Sequence, residues 1–408
     1  EFTKKSDTTA ERLAGVAFKV TSQTTGESHV IVTDENGYFS SASSWNKHSS
    51  NTNGNDWALD ADGVIDSSQL DMTAGTWFGL ASDGNMTAAD DARGAFPYDT
   101  YTIEELRCTA NEGYTLVKTS VTITRDGVTY DFGTLDDVQP EISTTAYDPV
   151  DGDKRVPVGE VTIADKVTYS GLAEGEEYTL VTTVVDAETG DAINVDGKPV
   201  SATTAFTASG TTGHEVVEMT LPTYELGGRT ITVFEELYFS DGTLAASHLD
   251  KDDVDQQLKV IVPEIGTTAT DGADGDKTVS TDTAVNIVDT VSYKNLAVGK
   301  EYTVTGTLMD KATGEPLEVD GKAVTAQATF TPETAYGTVE VTFTFDSRAI
   351  EAGTQLVVFE TLEQGGIEIA VHADIEDENQ TTDAHVTGVG TTASDGLDGD
   401  KTVVADGE

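Results

Sequence analysis

Two stretches of the chain carry a histidine, two carboxylates and a glutamine on the same spacing. HLDKDDVDQ at 248–256 and HADIEDENQ at 372–380 both read His-x-Asp-x-x-Asp-x-x-Gln, in a chain that has only six histidines. Such a set could bind a metal, cap a solvated turn or form a reaction centre. One imidazole without a thiol is a poor set for zinc, so we predict no metal site here and favour a reaction centre.

The two stretches belong to a unit that the chain repeats. PEISTTAYDPVDGDK at 140–154 returns as PEIGTTATDGADGDK at 263–277, and equivalent residues lie 123 to 125 positions apart. Repetition at a fixed period indicates tandem structural units. We therefore predict one domain at 140–262, a second copy at 263–385, and the cut-short opening of a third copy at 386–408. The chain is expected to be a piece of a longer protein.

The local pattern throughout the chain is that of β-strands. Short runs rich in Val, Thr, Tyr and Ile alternate apolar and polar residues and are separated by Gly, Asp-Gly and Thr-Gly turns. This pattern predicts an all-β chain of immunoglobulin-like antiparallel sandwiches. Residues 1–139 also contain strand-like runs, with a Ser/Asn/Asp/Gly-rich insertion at 42–94 that holds all three tryptophans, Trp45, Trp57 and Trp77.

Strand alternation places several polar side chains on the apolar side of their strands. Burying carboxylates, amides or hydroxyls without partners is costly, so we expect these side chains to meet one another. The neighbouring Thr145, Thr268 and Gln257 fall on the opposite side, and alternation alone separates them from the buried set. That set is Thr144, Asp165, Glu235 and Gln256 in the first copy, and Thr267, Asp289 and Glu360 in the second.

These residue types suit an acyl transfer that happens once in each domain. A threonine hydroxyl needs a neighbouring base, for which His248 or His372 is the natural candidate. A buried Asp/Glu pair tends to hold one proton between its members and could polarise a glutamine amide. The product would be a Thr–Gln ester with release of ammonia. A purely structural role for the buried carboxylates is the alternative, but it leaves the histidines and glutamines unexplained.

The two copies resemble the ester-bond-forming repeats of Gram-positive surface adhesins, a family named after a Val-x-Phe-Glu strand. The strands that carry the resemblance are ITVFEELY at 231–238 and LVVFETLE at 356–363. The resemblance implies one cross-link per copy and assigns its residues. They are Thr144 and Gln256 assisted by His248, Asp165 and Glu235, and Thr267 and Gln380 assisted by His372, Asp289 and Glu360. The third copy has Thr391 but lacks the histidine and glutamine that would complete a cross-link.

Residues 1–139 resemble the prealbumin-like, collagen-adhesin B-type domains of the same adhesins. The matching stretches are KSD and LAGVAF near the start and PYDTYTIEEL later. The resemblance implies an isopeptide bond between a lysine and an asparagine or aspartate, assisted by a glutamate. It points to Lys5, to Asp136 or Asp137, and to Glu105.

Composition limits the partners and the location of the protein. A net charge of −50 argues against nucleic acid or an anionic membrane surface as a partner. Cys108 is the single cysteine, so no intrachain disulfide can form, and no apolar run is long enough for membrane insertion. No cofactor is required, although calcium could bind the acidic turns DPVDGDK and DGADGDK.

The resemblance implies a monomer in an extended array on the bacterial cell surface, with a cell-wall anchor outside this chain. Its role would be that of a stalk made resistant to force and proteolysis by self-formed cross-links, rather than that of a turnover enzyme. The alternative is a module whose tryptophan-containing insertion binds an unknown host ligand, either a glycan or a protein.

Overall fold

A computed structural model describes residues 1–281, 284–386 and 393–394 of the protein. The described residues form β-strands joined by turns, with four short 3-10 helices at Gly54–Ala58, Ser67–Gln69, Thr109–Asn111 and Ser347–Ala349. The all-β prediction is therefore confirmed. None of the helices in the described part of the chain has the length and apolar character needed to span a bilayer. Of the predicted third copy, Thr391 and most of its neighbours lie outside the described residues.

The N-terminal domain is built from two sheets that share one core. Strands β1, β4 and β7 form one sheet in the order β4-β1-β7, and the other sheet has the order β3-β2-β5-β6. Both sheets contribute rings to the core, for example Phe2 and Phe39 from the first and Phe18 and Tyr101 from the second. The strands are β1 Phe2–Ser6, β2 Ala17–Ser22, β3 Ser28–Val32, β4 Tyr38–Phe39, β5 Asp99–Glu105, β6 Lys118–Ile123 and β7 Thr134–Asp137.

The predicted insertion lies between β4 and β5 and consists mainly of turns. Its carboxylates and amides bind its own backbone, as Asp66 does when it accepts from the Ser68 N–H at 3.0 Å. It is fastened to the scaffold through Asp56, whose Oδ1 accepts from the Val30 N–H at 2.7 Å. Phe78 of the insertion joins the core of the domain.

The first repeat contains a three-stranded sheet and a larger one. The sheet orders are β15-β10-β8 and β14-β11-β16-β18-β9, with β17 paired to β16 and a separate β12-β13 hairpin. Alternate residues of the long strands are buried, as in β10, where Val167 and Tyr169 are inside. The strands are β8 Glu141–Tyr147, β9 Arg155–Pro157, β10 Glu160–Ser170, β11 Glu177–Asp186, β12 Asn194–Val195, β13 Lys198–Pro199, β14 Ser201–Thr207, β15 Thr212–Pro222, β16 Thr230–Phe239, β17 Leu244–His248 and β18 Gln257–Ile261.

The second repeat has the same arrangement. Its sheet orders are β19-β21-β27 and β20-β30-β28-β22-β23, with β26 paired to β22, β29 paired to β28 and a separate β24-β25 hairpin. Both sheets supply the core, which includes Val291, Phe343, Val304 and Val358. The strands are β19 Glu264–Asp271, β20 Thr278–Ser280, β21 Ala284–Lys294, β22 Tyr302–Asp310, β23 Glu315–Pro316, β24 Glu318–Val319, β25 Lys322–Ala323, β26 Thr325–Phe330, β27 Gly337–Asp346, β28 Gln355–Gln364, β29 Ile367–His372 and β30 Thr381–His385.

The chain divides into two compact units. One unit comprises 1–154, 162–219 and 230–258, and the other comprises 155–161, 220–229 and the described residues from 259 onward. The first unit contains the N-terminal domain and all the candidate site residues of the first repeat, whereas the second contains those of the second repeat. The predicted domain limits at 140 and 263 and the predicted extended array stay predictions.

Candidate cross-linking sites

The first site joins two residues that are remote in the chain. Thr144 lies on β8 and Gln256 lies directly before β18, and both are buried. The Gln256 Nε2 donates a hydrogen bond to the Thr144 Oγ1 across 112 residues of sequence. The two predicted reaction partners are therefore in contact in the folded chain.

The backbone around Gln256 is held by strands of both sheets. The N–H of Ala146, on β8, donates to the carbonyl of Asp255 at 3.0 Å, while the N–H of Val233, on β16, donates to the carbonyl of Gln256 itself at 3.2 Å. The amide side chain is thereby fixed between the threonine strand and the glutamate strand. This arrangement favours a single orientation of the reacting groups.

Two buried carboxyl groups complete the interior of this site. Asp165 pairs with Ala146 in the β10–β8 register, and Glu235 lies on β16 with no exposed surface. Burial, together with a hydrogen bond and repulsion from Asp165, raises the pKa of Glu235 to about 10. Burial also raises the pKa of Asp165. Glu235 therefore retains its proton at neutral pH, as a general acid requires.

The histidine lies opposite the glutamate on the neighbouring strand. His248 on β17 is paired in register with Glu235 on β16, and β17 lies against β8, which carries Thr144. The His248 Nε2 is 2.9 Å from the Oδ2 of Asp253. This contact fixes the orientation of the ring. The spacing alone assigns Asp253 no role of its own, although its position five residues after the histidine recurs in the second copy.

The second site repeats this geometry. The Gln380 Nε2 donates to the Thr267 Oγ1 at 2.6 Å and to the Glu360 Oε2 at 2.6 Å. His372 pairs in register with Glu360, and its Nε2 is 3.0 Å from the Oδ2 of Asp377. Asp377 is thus the counterpart of the histidine partner in the first repeat.

The carboxyl pair of the second site is also buried. Burial, together with a hydrogen bond and repulsion from Asp289, raises the pKa of Glu360 to about 11. Burial raises the pKa of Asp289 as well. The Thr267 hydroxyl lies 3.4 Å from the Glu360 Oε1, so hydroxyl, amide and carboxyl meet at one point.

The adjacent residues that alternation placed on the other side do not enter the sites. Thr145 and Thr268 are exposed. Gln257 donates its amide to the carbonyl of Lys251 at 2.9 Å instead. The structure therefore brings together the threonines and glutamines chosen by alternation.

One position distinguishes the two sites. In the first, the Thr182 hydroxyl donates to the Glu235 Oε2 at 2.8 Å. In the second, Gly306 occupies the equivalent register position beside Glu360, and a Cβ there would lie 2.5 Å from a ring carbon of Phe343. The Glu235 Oε2 therefore accepts from a threonine hydroxyl, whereas the equivalent Glu360 Oε2 accepts from the Gln380 amide.

The family comparison agrees with this geometry. The model of the T-Q ester bond containing domain matches residues 140–260 and 263–383, which is more than half of the chain. The chain belongs to this family. The T-Q ester bond family comprises structural domains with self-generated cross-links rather than turnover enzymes. No curated protein matches the chain.

Several solved structures are similar in part. An adhesin from Mobiluncus mulieris with intramolecular disulfide, isopeptide and ester bond cross-links is 15% identical, over 55% of this chain and 81% of that one, with a TM-score of 0.28. The major pilin subunit of Bacillus cereus is 12% identical over 95% and 97%, with a TM-score of 0.22. The C-terminal domain of the Streptococcus agalactiae AgI/II polypeptide is 10% identical over 60% and 100%, with a TM-score of 0.27.

Ahead of the two T-Q ester bond domains, the N-terminal domain holds a different buried cluster. Lys4 on β1 is fully buried, and its Nζ lies 2.9 Å from the Glu105 Oε2 and contacts the carboxyl of Asp137. Glu105 is held by the Asn111 amide at 2.8 Å and the Val117 N–H at 2.9 Å. Burial and repulsion from Glu105 raise the pKa of Asp137 to about 8.

In this cluster the lysine beside Glu105 and Asp137 is Lys4, and not Lys5 as predicted. Phe2, Lys4 and Ser6 form the buried side of β1, so Lys5 lies on the other side and does not reach Glu105. Asp136 is likewise exposed beside the buried Asp137. Period-two alternation starting from Phe2 would have identified Lys4.

The three tryptophans do not form a common exposed surface. Trp77 is buried and donates its Nε1 to the carbonyl of Thr87 at 3.1 Å. Trp45 packs edge-on against Phe39, with ring centroids 5.4 Å apart. Only Trp57 is open, with 85% of its surface exposed. Trp45 therefore fastens the insertion to its scaffold, whereas Trp77 holds residues of the insertion to one another.

The acidic turns use their carboxylates to bind their own backbone. The Asp148 Oδ1 accepts from the Val150 N–H at 2.8 Å, and the Asp271 Oδ1 accepts from the Ala273 N–H at 2.8 Å. Within 1–281, 284–386 and 393–394, no group of three or more His, Cys, Asp or Glu residues is arranged to hold a metal. Calcium binding at these turns stays a prediction.

Proposed function

We propose that the chain is part of the stalk of a bacterial cell-surface adhesin in which each repeat forms one intramolecular Thr–Gln ester. The bonds are Thr144–Gln256 and Thr267–Gln380. The observation that carries the proposal is the contact of the Gln380 amide with both the Thr267 hydroxyl and the Glu360 carboxyl. Family membership supports the same chemistry.

The reaction in the second repeat is an acyl transfer from nitrogen to oxygen. His372, its Nε2 held by Asp377, accepts the hydroxyl proton at its other ring nitrogen as the Thr267 Oγ1 attacks the Gln380 Cδ. Collapse breaks the C–N bond, and the buried carboxyl pair, whose Glu360 contacts the Gln380 Nε2, gives a proton to the departing nitrogen, which leaves as ammonia. The proton taken up by His372 then replaces the one that the carboxyl pair has given. The products are the ester and one ammonia, so the atoms balance.

The N-terminal domain forms a Lys4–Asp137 isopeptide bond by a related reaction. After passing a proton to Glu105, the Lys4 amine attacks the Asp137 carboxyl carbon, and the carboxyl oxygen leaves as water after protonation. The raised pKa of Asp137 supports this step because a protonated carboxyl is a better acyl donor than a carboxylate. Glu105, in contact with Lys4, passes the proton between the two groups.

The cross-links give the stalk its resistance to force and proteolysis. Each ester would close a loop of more than one hundred residues, and such a closure stabilises a domain by about 5 kcal/mol through the entropy of the unfolded chain. The threonines and glutamines are buried, so water reaches the ester poorly and hydrolysis is slow.

The intact mass of the denatured protein tests this function. Each ester removes one ammonia, about 17 Da, and the isopeptide bond removes one water, about 18 Da. The full chain should therefore be about 52 Da lighter than its formula mass, by two ammonias and one water. Thr267→Ala should restore about 17 Da, while the matched control Thr268→Ala should leave the deficit unchanged. A chain with its full formula mass would refute the proposal.

A second candidate function rests on the exposure of Trp57. A tryptophan with 85% of its surface open is a typical contact residue for a glycan or a protein. Binding of the full chain to a glycan and protein array, compared between wild type and Trp57→Ala, tests this function. The matched control is Tyr98→Ala, since Tyr98 is 65% exposed in the same domain. Loss of a signal only in the tryptophan variant would support binding, and an array without signals would refute it.

A further inference from the structure

A lysine after each acidic turn reaches both of the segments that carry the reacting groups. The Lys154 Nζ donates to the carbonyl of Ala146 at 2.5 Å and to the carbonyl of Asp255 at 2.5 Å. Ala146 lies two residues after Thr144, and Asp255 lies one residue before Gln256. A single ammonium group therefore bridges the nucleophile strand and the residue next to the acyl donor.

The second repeat has the same bridge. The Lys277 Nζ donates to the carbonyl of Ala269 at 2.5 Å and to the carbonyl of Asn379. These residues lie two positions after Thr267 and one before Gln380. The recurrence of both contacts at the second site argues against an accidental surface contact.

The bridge reinforces a single backbone hydrogen bond. The Ala146 N–H donates to the Asp255 carbonyl at 3.0 Å, and the Ala269 N–H donates to the Asn379 carbonyl at 3.0 Å. Without the lysine, one such bond would hold the two segments together beside the site. The ammonium adds charge-assisted bonds to two carbonyls, and bonds of this kind are about twice as strong as neutral ones.

The lysine also places a positive charge near the buried aspartate. Burial raises the pKa of Asp165 and Asp289, and the charges of Lys154 and Lys277 oppose that rise by a smaller amount. The positive charge favours the aspartate as the anionic member of each carboxyl pair. The proton then remains on the glutamate, Glu360 in the second repeat, which contacts the amide.

We propose that Lys154 and Lys277 are positioning residues for ester formation, holding the threonine strand and the glutamine segment in reacting register. The inference rests on the proposed ester function and deepens it. The lysines touch neither the hydroxyl nor the amide, so they act through the backbone on either side of the reacting groups. A displacement of about 1 Å in such a site slows a reaction by about a hundredfold.

The experiment follows ammonia loss in each repeat of the full chain. The protein is made by cell-free synthesis, samples are quenched in acid at intervals, and protease fragments that separate the two esters are weighed. Lys277→Met should slow the loss of about 17 Da in the second repeat by about ten- to a hundredfold. The first repeat of the same molecule is the internal control. Lys294→Met is the matched control, because Lys294 is exposed and pairs only with Glu264 among the contacts described.

A conservative variant separates positioning from folding. Lys277→Arg keeps a charged donor and should restore most of the rate, with circular dichroism reporting that the fold is intact. If Lys277→Met does not fold, the test rests on Lys277→Arg alone. A folded arginine variant that loses ammonia from the second repeat at a rate near that of the wild type then supports the proposal. A wild-type rate in Lys277→Met, or folded Met and Arg variants that are equally slow, would overturn it. If the wild-type chain loses no ammonia, the ester function itself fails, which is a separate result.

Discussion

Replacing Thr267 by valine should lower the free energy of unfolding of the second repeat by about 5 kcal/mol. Valine keeps the branched shape of threonine but has no hydroxyl, so the ester cannot form. The unlinked loop between Thr267 and Gln380 spans 113 residues, and its added entropy in the unfolded state accounts for that figure. In the variant Gln380 retains its amide, and the bond of that amide to the Glu360 carboxyl satisfies it, so an unpaired buried amide adds little to this loss.

A double-mutant cycle isolates the covalent contribution. Gln380→Met removes the same bond from its other end, so the double variant should be little less stable than either single variant. The coupling energy should then be close to 5 kcal/mol, far above that of an ordinary contact. All three tryptophans lie in residues 1–139, so their fluorescence reports the wrong domain. Native-state hydrogen exchange of peptides from 263–385, read by mass spectrometry, measures the second repeat directly.

Two results would contradict a stabilising covalent bond between Thr267 and Gln380. If the slowest-exchanging amides of the second repeat lose less than about 2 kcal/mol in Thr267→Val, loop closure does not stabilise this domain as calculated. Additive effects of the two substitutions would show that no covalent bond joins the two side chains. Thr268→Val is the control, because its exposed side chain should change stability by less than about 0.5 kcal/mol.

Three further predictions use the same mass and exchange measurements. Lys4→Met should remove the mass deficit of about 18 Da in the N-terminal domain, whereas Lys5→Met should keep it. In the unlinked Thr267→Val chain, the folded state binds more protons than the unfolded state because burial raises the pKa of Glu360 to about 11. The free energy of unfolding of this variant should therefore fall as the pH rises above about 4.5, with Glu360 contributing at most about 1.4 kcal/mol per pH unit. A free energy of unfolding that rises with pH would contradict this prediction. Thr182→Val should speed ester formation in the first repeat about fivefold, since the freed carboxyl oxygen can accept from the amide, and an unchanged rate would contradict this.

The candidate ester sites could be predicted from the sequence because two independent patterns select the same residues. Alternation placed Thr144 and Glu235 among apolar neighbours, and the internal repeat showed equivalents in the second copy. A buried polar residue is costly, so its reuse at the same register indicates a shared purpose. Asp253 was not assigned because it lies in a turn, where alternation gives no information about which atoms a carboxylate faces.

The N-terminal domain was harder to interpret because it occurs once. Without a second copy, Lys5 and Asp136 could not be separated from their neighbours Lys4 and Asp137 by recurrence, and the alternation in β1 was not applied. The exposure of the tryptophans could not be predicted from the sequence either. Whether a long turn-rich insertion buries a ring depends on tertiary packing, which composition does not determine.

The three proposed bonds share a placement that explains why two different reactions would serve one stalk. In each domain the nucleophile lies on the first strand, Lys4 on β1 or a threonine on β8 or β19, and the acyl donor lies at or next to the last strand. A pulling force that enters at Lys4 would cross to Asp137 through a covalent bond and reach Thr144 after seven residues. Only ten residues lie between Gln256 of one ester and Thr267 of the next. The inner strands would lie off this covalent path, so tension would extend the short joints while the hydrogen bonds of the sheets carry little of it.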